Sequence, residues 1–358
     1  MTVSAVRVVS RLLLAAAPMC IGAAVQGQSP APSPGPAPAN AAAVASPFQN
    51  QDFGQQMVLK RIDDLLWYQK LADIADIDKV EYASLPPAHV AHPKLPGATN
   101  PLLVHAYTFI PRNLDRSRKQ PLIVYVHQGI HQSLDTTLDA HPIRELLEQG
   151  YVIIATDYRG STGYGGAFYQ DIDYGGREID DVFLGMQWML QRYGFLDPAR
   201  VGIVGWSHGG LITLMNIFQH PKAYAVAYAG VPVSDLIARM GYEPPAYQSL
   251  YSAPYHLGET AHDDISEYEK RSPVTYADKL ATPLLIHTNT NDEDVNYLEV
   301  QHLIQALKAD GKKFDYKVYQ DAPGGHYFNR TDTPLALESR REIYHFLAQY
   351  LHPDHPSQ

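Results

Sequence analysis

From residue 100 onward, apolar runs alternate with segments that repeat every three to four residues. The runs span 102–110, 121–127, 151–157, 201–206, 223–230, 283–288 and 314–320. Several are almost continuously apolar, as strands are when both faces of a parallel sheet are covered. The helical stretches between them are PIRELLEQ, EIDDVFLGMQWMLQRY, LITLMNIF and LEVQHLIQALKAD, with a last one near ESRREIYHFLAQYL. This alternation predicts an α/β fold: a mostly parallel sheet with helices on both faces, over residues 100–353. Residues 236–275 break the pattern and are rich in Tyr, Pro and His, an insertion expected to lie over an active site. Upstream, Val58, Ile62, Leu65 and Leu66 share one face of a predicted helix over Gln51–Ala75, so residues 51–99 read as a helical extension. Residues 28–50 are Pro/Ala-rich and uncharged, the composition of an extended tether.

The first 27 residues have the layout of a secretory signal. Arg7 and Arg11 precede an apolar stretch, Leu12–Val25, and Val25 and Gly27 are small residues suited to cleavage before Gln28. The stretch is too short, and too interrupted by Pro18, for the roughly 20 residues of a spanning helix. The single cysteine, Cys20, lies inside it after Met19, which does not suit a lipoprotein signal, so the mature chain is expected to have no disulfide, thiolate metal site or cysteine nucleophile. Export to the periplasm or medium, without stable membrane insertion, is the expectation. Cleavage would remove two arginines and no acids, moving the net charge from −10 to −12. An acidic chain without a basic run is a poor partner for nucleic acid or anionic lipid.

Candidate chemistry enters at VGIVGWSHGGLITLMNIF, where Gly-Trp-Ser-His-Gly sits between a predicted strand and a predicted helix. This is the context a Gly-x-Ser-x-Gly nucleophile elbow requires, and it makes Ser207 the candidate nucleophile. Gly205 and Gly209 leave room for the strained turn, and the backbone N–H of His208 is the expected first oxyanion donor. A serine hydroxyl needs a base to take its proton. In the α/β-hydrolase order of serine, acid and histidine, the histidine follows the last strand, and VYQDAPGGHYFNR places His326 there.

DYRGSTGYGGAF, GWSHGG, LLIHTNTNDEDV and GGH together resemble the catalytic domain of the prolyl oligopeptidase family of serine peptidases, over roughly residues 100–351. The resemblance implies an α/β-hydrolase fold and acyl transfer without metal or organic cofactor. Many members carry a β-propeller before this domain, and the 49 residues between tether and hydrolase, 51–99, are too few for one. YVHQGIH resembles the His-Gly-Gly-Pro loop of the acylaminoacyl-peptidase branch, which implies a second oxyanion donor at Gly129. His127 stands where other branches place a Tyr hydroxyl. The spacing of His127 and His131 lacks the carboxylate and helical support of a His-Glu-x-x-His metal site. Arg159 and its neighbouring glycines are expected to shape a bordering loop. Proline-selective members line their primary pocket with aromatic residues; Leu236 and Arg239 fall near such positions, with Tyr251 a remaining aromatic, so the resemblance does not extend to proline selectivity.

The family pattern His-Gly-x-x-Asp-x-x-Val does not fit LIHTNTNDEDVN without one inserted residue. Counting from His287 reaches Asn291, and counting back from Val295 reaches Asp292. The following helix needs Val295, Leu298, Val300, Leu303 and Ile304 inward, so the insertion belongs in the TNTN turn and Asp292 is the expected triad acid. Glu293 and Asp294 are then expected to face solvent or cap the helix. The expected substrate is a peptide or aminoacyl amide, with a small acyl or carbohydrate ester as the alternative for the same residues.

Overall fold

The computed structural model describes residues 52–90 and 93–357. The expected signal segment, its Cys20 and the tether lie outside the described residues. Eight strands form one sheet in the order β1-β2-β4-β3-β5-β6-β7-β8. They are β1 (Ala75–Ala83), β2 (Leu103–Pro111), β3 (Gln120–Val126), β4 (Val152–Asp157), β5 (Leu196–Trp206), β6 (Val226–Gly230), β7 (Leu284–Asn289) and β8 (Asp315–Tyr319). β2 runs antiparallel to both neighbours, and every pairing from β4 to β8 is parallel. The helices are α1 (Phe53–Leu71), α2 (Ala140–Glu148), α3 (Gly166–Gln170), α4 (Arg177–Arg192), α5 (His208–Gln219), α6 (Leu236–Tyr242), α7 (Pro245–Tyr251), α8 (Ile265–Lys270), α9 (Tyr297–Ala309) and α10 (Pro334–Leu351). Among the described residues, no helix is long and apolar enough to cross a membrane.

The period-two geometry of a strand sends successive side chains to opposite faces. On β3, Leu122, Val124 and Val126 join α4, α5 and α9 in one core, while Ile123 and Tyr125 join α1, α2 and α10 in the other. Each of these aliphatic side chains contributes roughly 1.5–3 kcal/mol by leaving water. The two cores fix which strand edge is open, and the loops that follow β3, β5, β7 and β8 emerge together at the C-terminal edge of the parallel strands. That edge is where open α/β sheets bind ligands.

Two expectations for the upstream segment need correction. Residues 51–99 are not simply a helical extension, because β1 follows α1 and pairs with β2 along its whole length. Ala75 and Ile77 enter one core and Tyr82 the other, with Asp76, Asp78 and Glu81 exposed between them, and this charged edge-strand pattern hides from a search for apolar runs. The face of α1 also differs. Val58, Ile62 and Leu65 are turned to solvent, and Lys60, Trp67 and Leu71 are buried instead. Trp67 packs on Tyr107 and Phe109, and Lys60 Nζ donates to Leu134 O at 2.8 Å while lying 3.2 Å from Asp157. A buried ion pair and one large aromatic chose the docking stripe over the more numerous aliphatics.

Candidate active site

β5 ends at Trp206 and α5 begins at His208, so Ser207 alone makes the turn, with φ 56° and ψ −121°. This is a positive φ on a residue with a Cβ, the strain expected of a nucleophile elbow. The glycines around it are sterically required. A Cβ at Gly205 would strike the carbonyl of Gly209, and one at Gly209 would lie 2.5 Å from His127 O and 2.6 Å from Val126 O. The Ser207 N–H is tied to Gly230 O at 2.9 Å, which locks the turn to the end of β6.

After β8 the chain turns through Gly324 (φ 96°) and Gly325 (φ 52°) into a short 3-10 helix that carries His326. His326 Nδ1 lies 2.9 Å from both carboxylate oxygens of Asp292. Asp292 Oδ1 also accepts the N–H groups of Asp294 and Val295, at 2.9 and 2.8 Å. The carboxylate is therefore fixed before it meets the imidazole. Of the TNTN residues, Thr288 and Asn289 end β7, and Thr290 and Asn291 make the turn to Asp292. Asn289 Nδ2 donates to Gly325 O at 2.6 Å and Asn291 Nδ2 to Ala322 O at 3.1 Å, so the acid loop and the histidine loop brace each other.

Neither neighbouring acid caps α9, because Asn296 does so by accepting the Leu298 N–H at 2.9 Å. Glu293 is exposed, yet its carboxylate accepts the His326 N–H at 3.1 Å and fills the space a Cβ on Gly325 would need. Asp294 pairs with Arg239 at 2.6 Å, and its other oxygen lies 4.0 Å from His326 Nε2. Arg239 holds the Asp294 carboxyl below the usual range, against the opposing effect of burial, so it stays ionised. Ser207 Oγ and His326 are not hydrogen-bonded to each other, a contact that commonly tightens only with substrate in place.

The expected oxyanion donors are not aimed at a common point. His208 N–H donates to Gln128 O at 3.0 Å, so the carbonyl before Gly129 occupies one donor. Tyr158 donates its hydroxyl to Gly129 O at 2.8 Å. The side chain of His208 is buried, 3.4 Å from Glu178. Burial lowers His208 to about 3 and raises Glu178 to about 8. His127 and His131 diverge: His127 Nε2 meets Ser161 Oγ at 3.0 Å, and His131 Nε2 meets His256 Nε2 at 2.9 Å. Among the described residues, no group of three or more His, Cys, Asp or Glu is arranged to hold a metal ion. Arg159 is structural, bound through Nε and Nη2 to Asp181 at 2.8 and 2.7 Å and through its other protons to the carbonyls of Leu85 and Pro86.

A cavity of about 140 Å³ opens beside Ser207, with Val233, Arg239, Tyr247, Leu250 and Asp294 in its wall. Of the three residues expected around a substrate, Arg239 is in this wall. Leu236 and Tyr251 are not. Leu236 starts α6 and is packed into the core, whereas Tyr251 sits behind Arg239, accepting from its Nε at 3.0 Å and donating to Tyr174 at 2.7 Å. The pocket residues Tyr247 and Leu250 escaped sequence reasoning because the irregular insertion offers no periodicity from which to count.

The chain is similar in sequence and fold to known proteins. The family model described as the prolyl oligopeptidase family matches residues 139–354. The uncharacterized peptidase YuxL of Bacillus subtilis (strain 168) is 28% identical over 235 residues, which are 65% of this chain and 35% of that protein. Dipeptidyl aminopeptidase BIII of Pseudoxanthomonas mexicana is 29% identical over 256 residues, 69% of this chain and 36% of that one. The solved structure of the acylaminoacyl peptidase of Pyrococcus horikoshii superposes with a TM-score of 0.64 at 18% identity, covering 82% of this chain and 44% of the other, a likeness of fold. The chain spans about a third of the length of these curated relatives.

Proposed function

Because this chain belongs to the prolyl oligopeptidase family, we propose that it is a serine peptidase, cleaving peptide or aminoacyl amide bonds through an acyl-enzyme on Ser207. The observation that carries the reading is the His326–Asp292 pair, with both carboxylate oxygens 2.9 Å from Nδ1, on the same sheet edge as the strained serine elbow. Asp292 fixes the tautomer with the proton on Nδ1, which leaves Nε2 as the base. Nε2 takes the Ser207 proton as Oγ attacks the carbonyl, then gives it to the leaving amine. Water attacks the acyl-enzyme with Nε2 again as base, releasing acid and restoring the serine. The α5 N-terminus stabilises the oxyanion through the His208 N–H and the helix dipole.

The relatives YuxL and dipeptidyl aminopeptidase BIII are named as peptidases, which favours the amide over the carboxylester substrate. The test is a rate comparison on aminoacyl- and peptidyl-nitroanilides against short-chain nitrophenyl esters. Anilide turnover, lost together with fluorophosphonate labelling in Ser207→Ala, is expected. Ester turnover alone across a broad panel would refute the peptidase reading. We also propose export through residues 1–27, supported by their charge and apolar layout. N-terminal sequencing of the mature protein should begin near Gln28.

A further inference from the structure

The loop after β3 presents its peptide the wrong way round for the chemistry proposed above. An oxyanion is held when two N–H groups converge on one point. Here Gln128 C=O accepts the His208 N–H at 3.0 Å. A trans peptide points its C=O and N–H in opposite directions. The Gly129 N–H therefore faces away from the His208 N–H, and it has no acceptor among the described residues.

We propose that the Gln128–Gly129 peptide is a switch on the oxyanion hole. In the substrate-free protein its carbonyl caps the His208 N–H. Formation of the oxyanion drives the peptide over by about 180°, withdrawing the carbonyl and delivering the Gly129 N–H to the same oxygen. The inference rests on the reading of Ser207 as nucleophile and concerns how that site becomes competent.

Three features support a turn confined to this one peptide. On one side, His127 is fixed by Ser161 at 3.0 Å and by stacking on Tyr158 at 4.1 Å between ring centres. On the other, Gly129 O is held by the Tyr158 hydroxyl at 2.8 Å, and His131 Nδ1 meets Gly160 O at 2.8 Å. Between these anchors the rotation changes only ψ of Gln128 and φ of Gly129. Gly129 does not have a positive φ in this structure, and the rotation would carry it into that region, which glycine enters without steric penalty. An anionic oxygen binds N–H donors more strongly than a neutral carbonyl does. The oxyanion can thus displace Gln128 O where a neutral ground-state ligand cannot.

The decisive experiment is a pair of crystal structures, of the free protein and of its fluorophosphonate adduct on Ser207. The inference expects Gln128 O on the His208 N–H in the first. In the second it expects both N–H groups on the phosphonyl oxygen, with Gly129 at positive φ. An adduct with Gln128 O still on His208 N–H, or a free protein already turned, would overturn the switch while leaving the nucleophile intact. Absence of any Ser207 adduct would remove the hydrolase reading and the switch with it. A solution test uses Gly129→Ala in a Gln132→Ala background, because a Cβ at 129 would meet the Gln132 side chain. A positive φ costs a non-glycine residue about 1–2 kcal/mol, so labelling should slow by roughly 5- to 30-fold against Gln132→Ala alone, with binding of a neutral, uncleaved peptide amide unchanged. Equal labelling rates would refute the requirement for a positive φ and with it the switch.

Discussion

Three adjacent acids occupy one turn and serve three different partners. Asp292 faces His326 Nδ1, Glu293 faces the His326 backbone, and Asp294 faces Arg239. Their neighbours set these roles, since the residues are nearly alike in chemistry. Asp292→Asn should lower kcat/KM on a peptidyl-nitroanilide by about 10³- to 10⁴-fold, because the amide cannot enforce the required tautomer. Asp294→Asn should cost less than about tenfold, as Arg239 keeps Glu299 within 3.5 Å and Glu243 within 3.3 Å. Steady-state kinetics on the two variants checks the order, and a larger loss at Asp294 would reverse the assignment.

At the scale of elements, α1 offers a direct contrast between numbers of apolar residues and their placement. Trp67→Ala should cost about 3–5 kcal/mol in denaturant unfolding, the usual penalty for emptying a buried aromatic site. Leu65→Ala should change stability by less than about 0.5 kcal/mol, since Leu65 is 71% exposed. The same contrast explains what was legible in the sequence. The parallel strands β3 to β7 announced themselves because burial on both faces leaves unbroken apolar runs. Ser207 and His326 could be picked out because the fold dictates their order and flanking elements, and Asp292 was chosen by the register of α9, of which Leu298, expected inward, is in fact 47% exposed. The strand β1 was hidden by its charged outward positions, and the docking face of α1 by a buried lysine that pattern rules place outside. The pocket wall was hidden because α6 and α7 pack by the Arg239 network, which joins residues distant in sequence. The direction of the Gln128 carbonyl leaves no trace in residue identity.

For the whole molecule, the buried Glu178–His208 pair makes stability depend on pH in two opposed ways. Burial raises Glu178 from its ordinary 4.5 to about 8, so its contribution is fully present below 4.5 and is lost as pH rises through about 8. Burial lowers His208 from 6.5 to about 3, so its contribution is present above 6.5 and is lost as pH falls through about 3. Between 4.5 and 6.5 the two slopes of this pair oppose, and above 6.5 its decline is that of Glu178, joined by the buried Asp139 and half-buried Glu243, both raised to about 7. Glu178→Gln should flatten the fall in Tm between pH 6.5 and 8, measured by calorimetry. An unchanged slope would assign the decline to other groups.

The positive φ of Ser207 has an evolutionary reading. Strain at that position costs the folded state about 1–3 kcal/mol, and only the hydroxyl justifies keeping a Cβ there. Ser207→Gly should therefore melt higher than Ser207→Ala although both are inactive, which differential scanning calorimetry can resolve. A lineage that lost its need for hydrolysis would gain stability by drifting to glycine at this site. On the reading of Ser207 as nucleophile, the side chain at this turn trades stability of the fold for turnover.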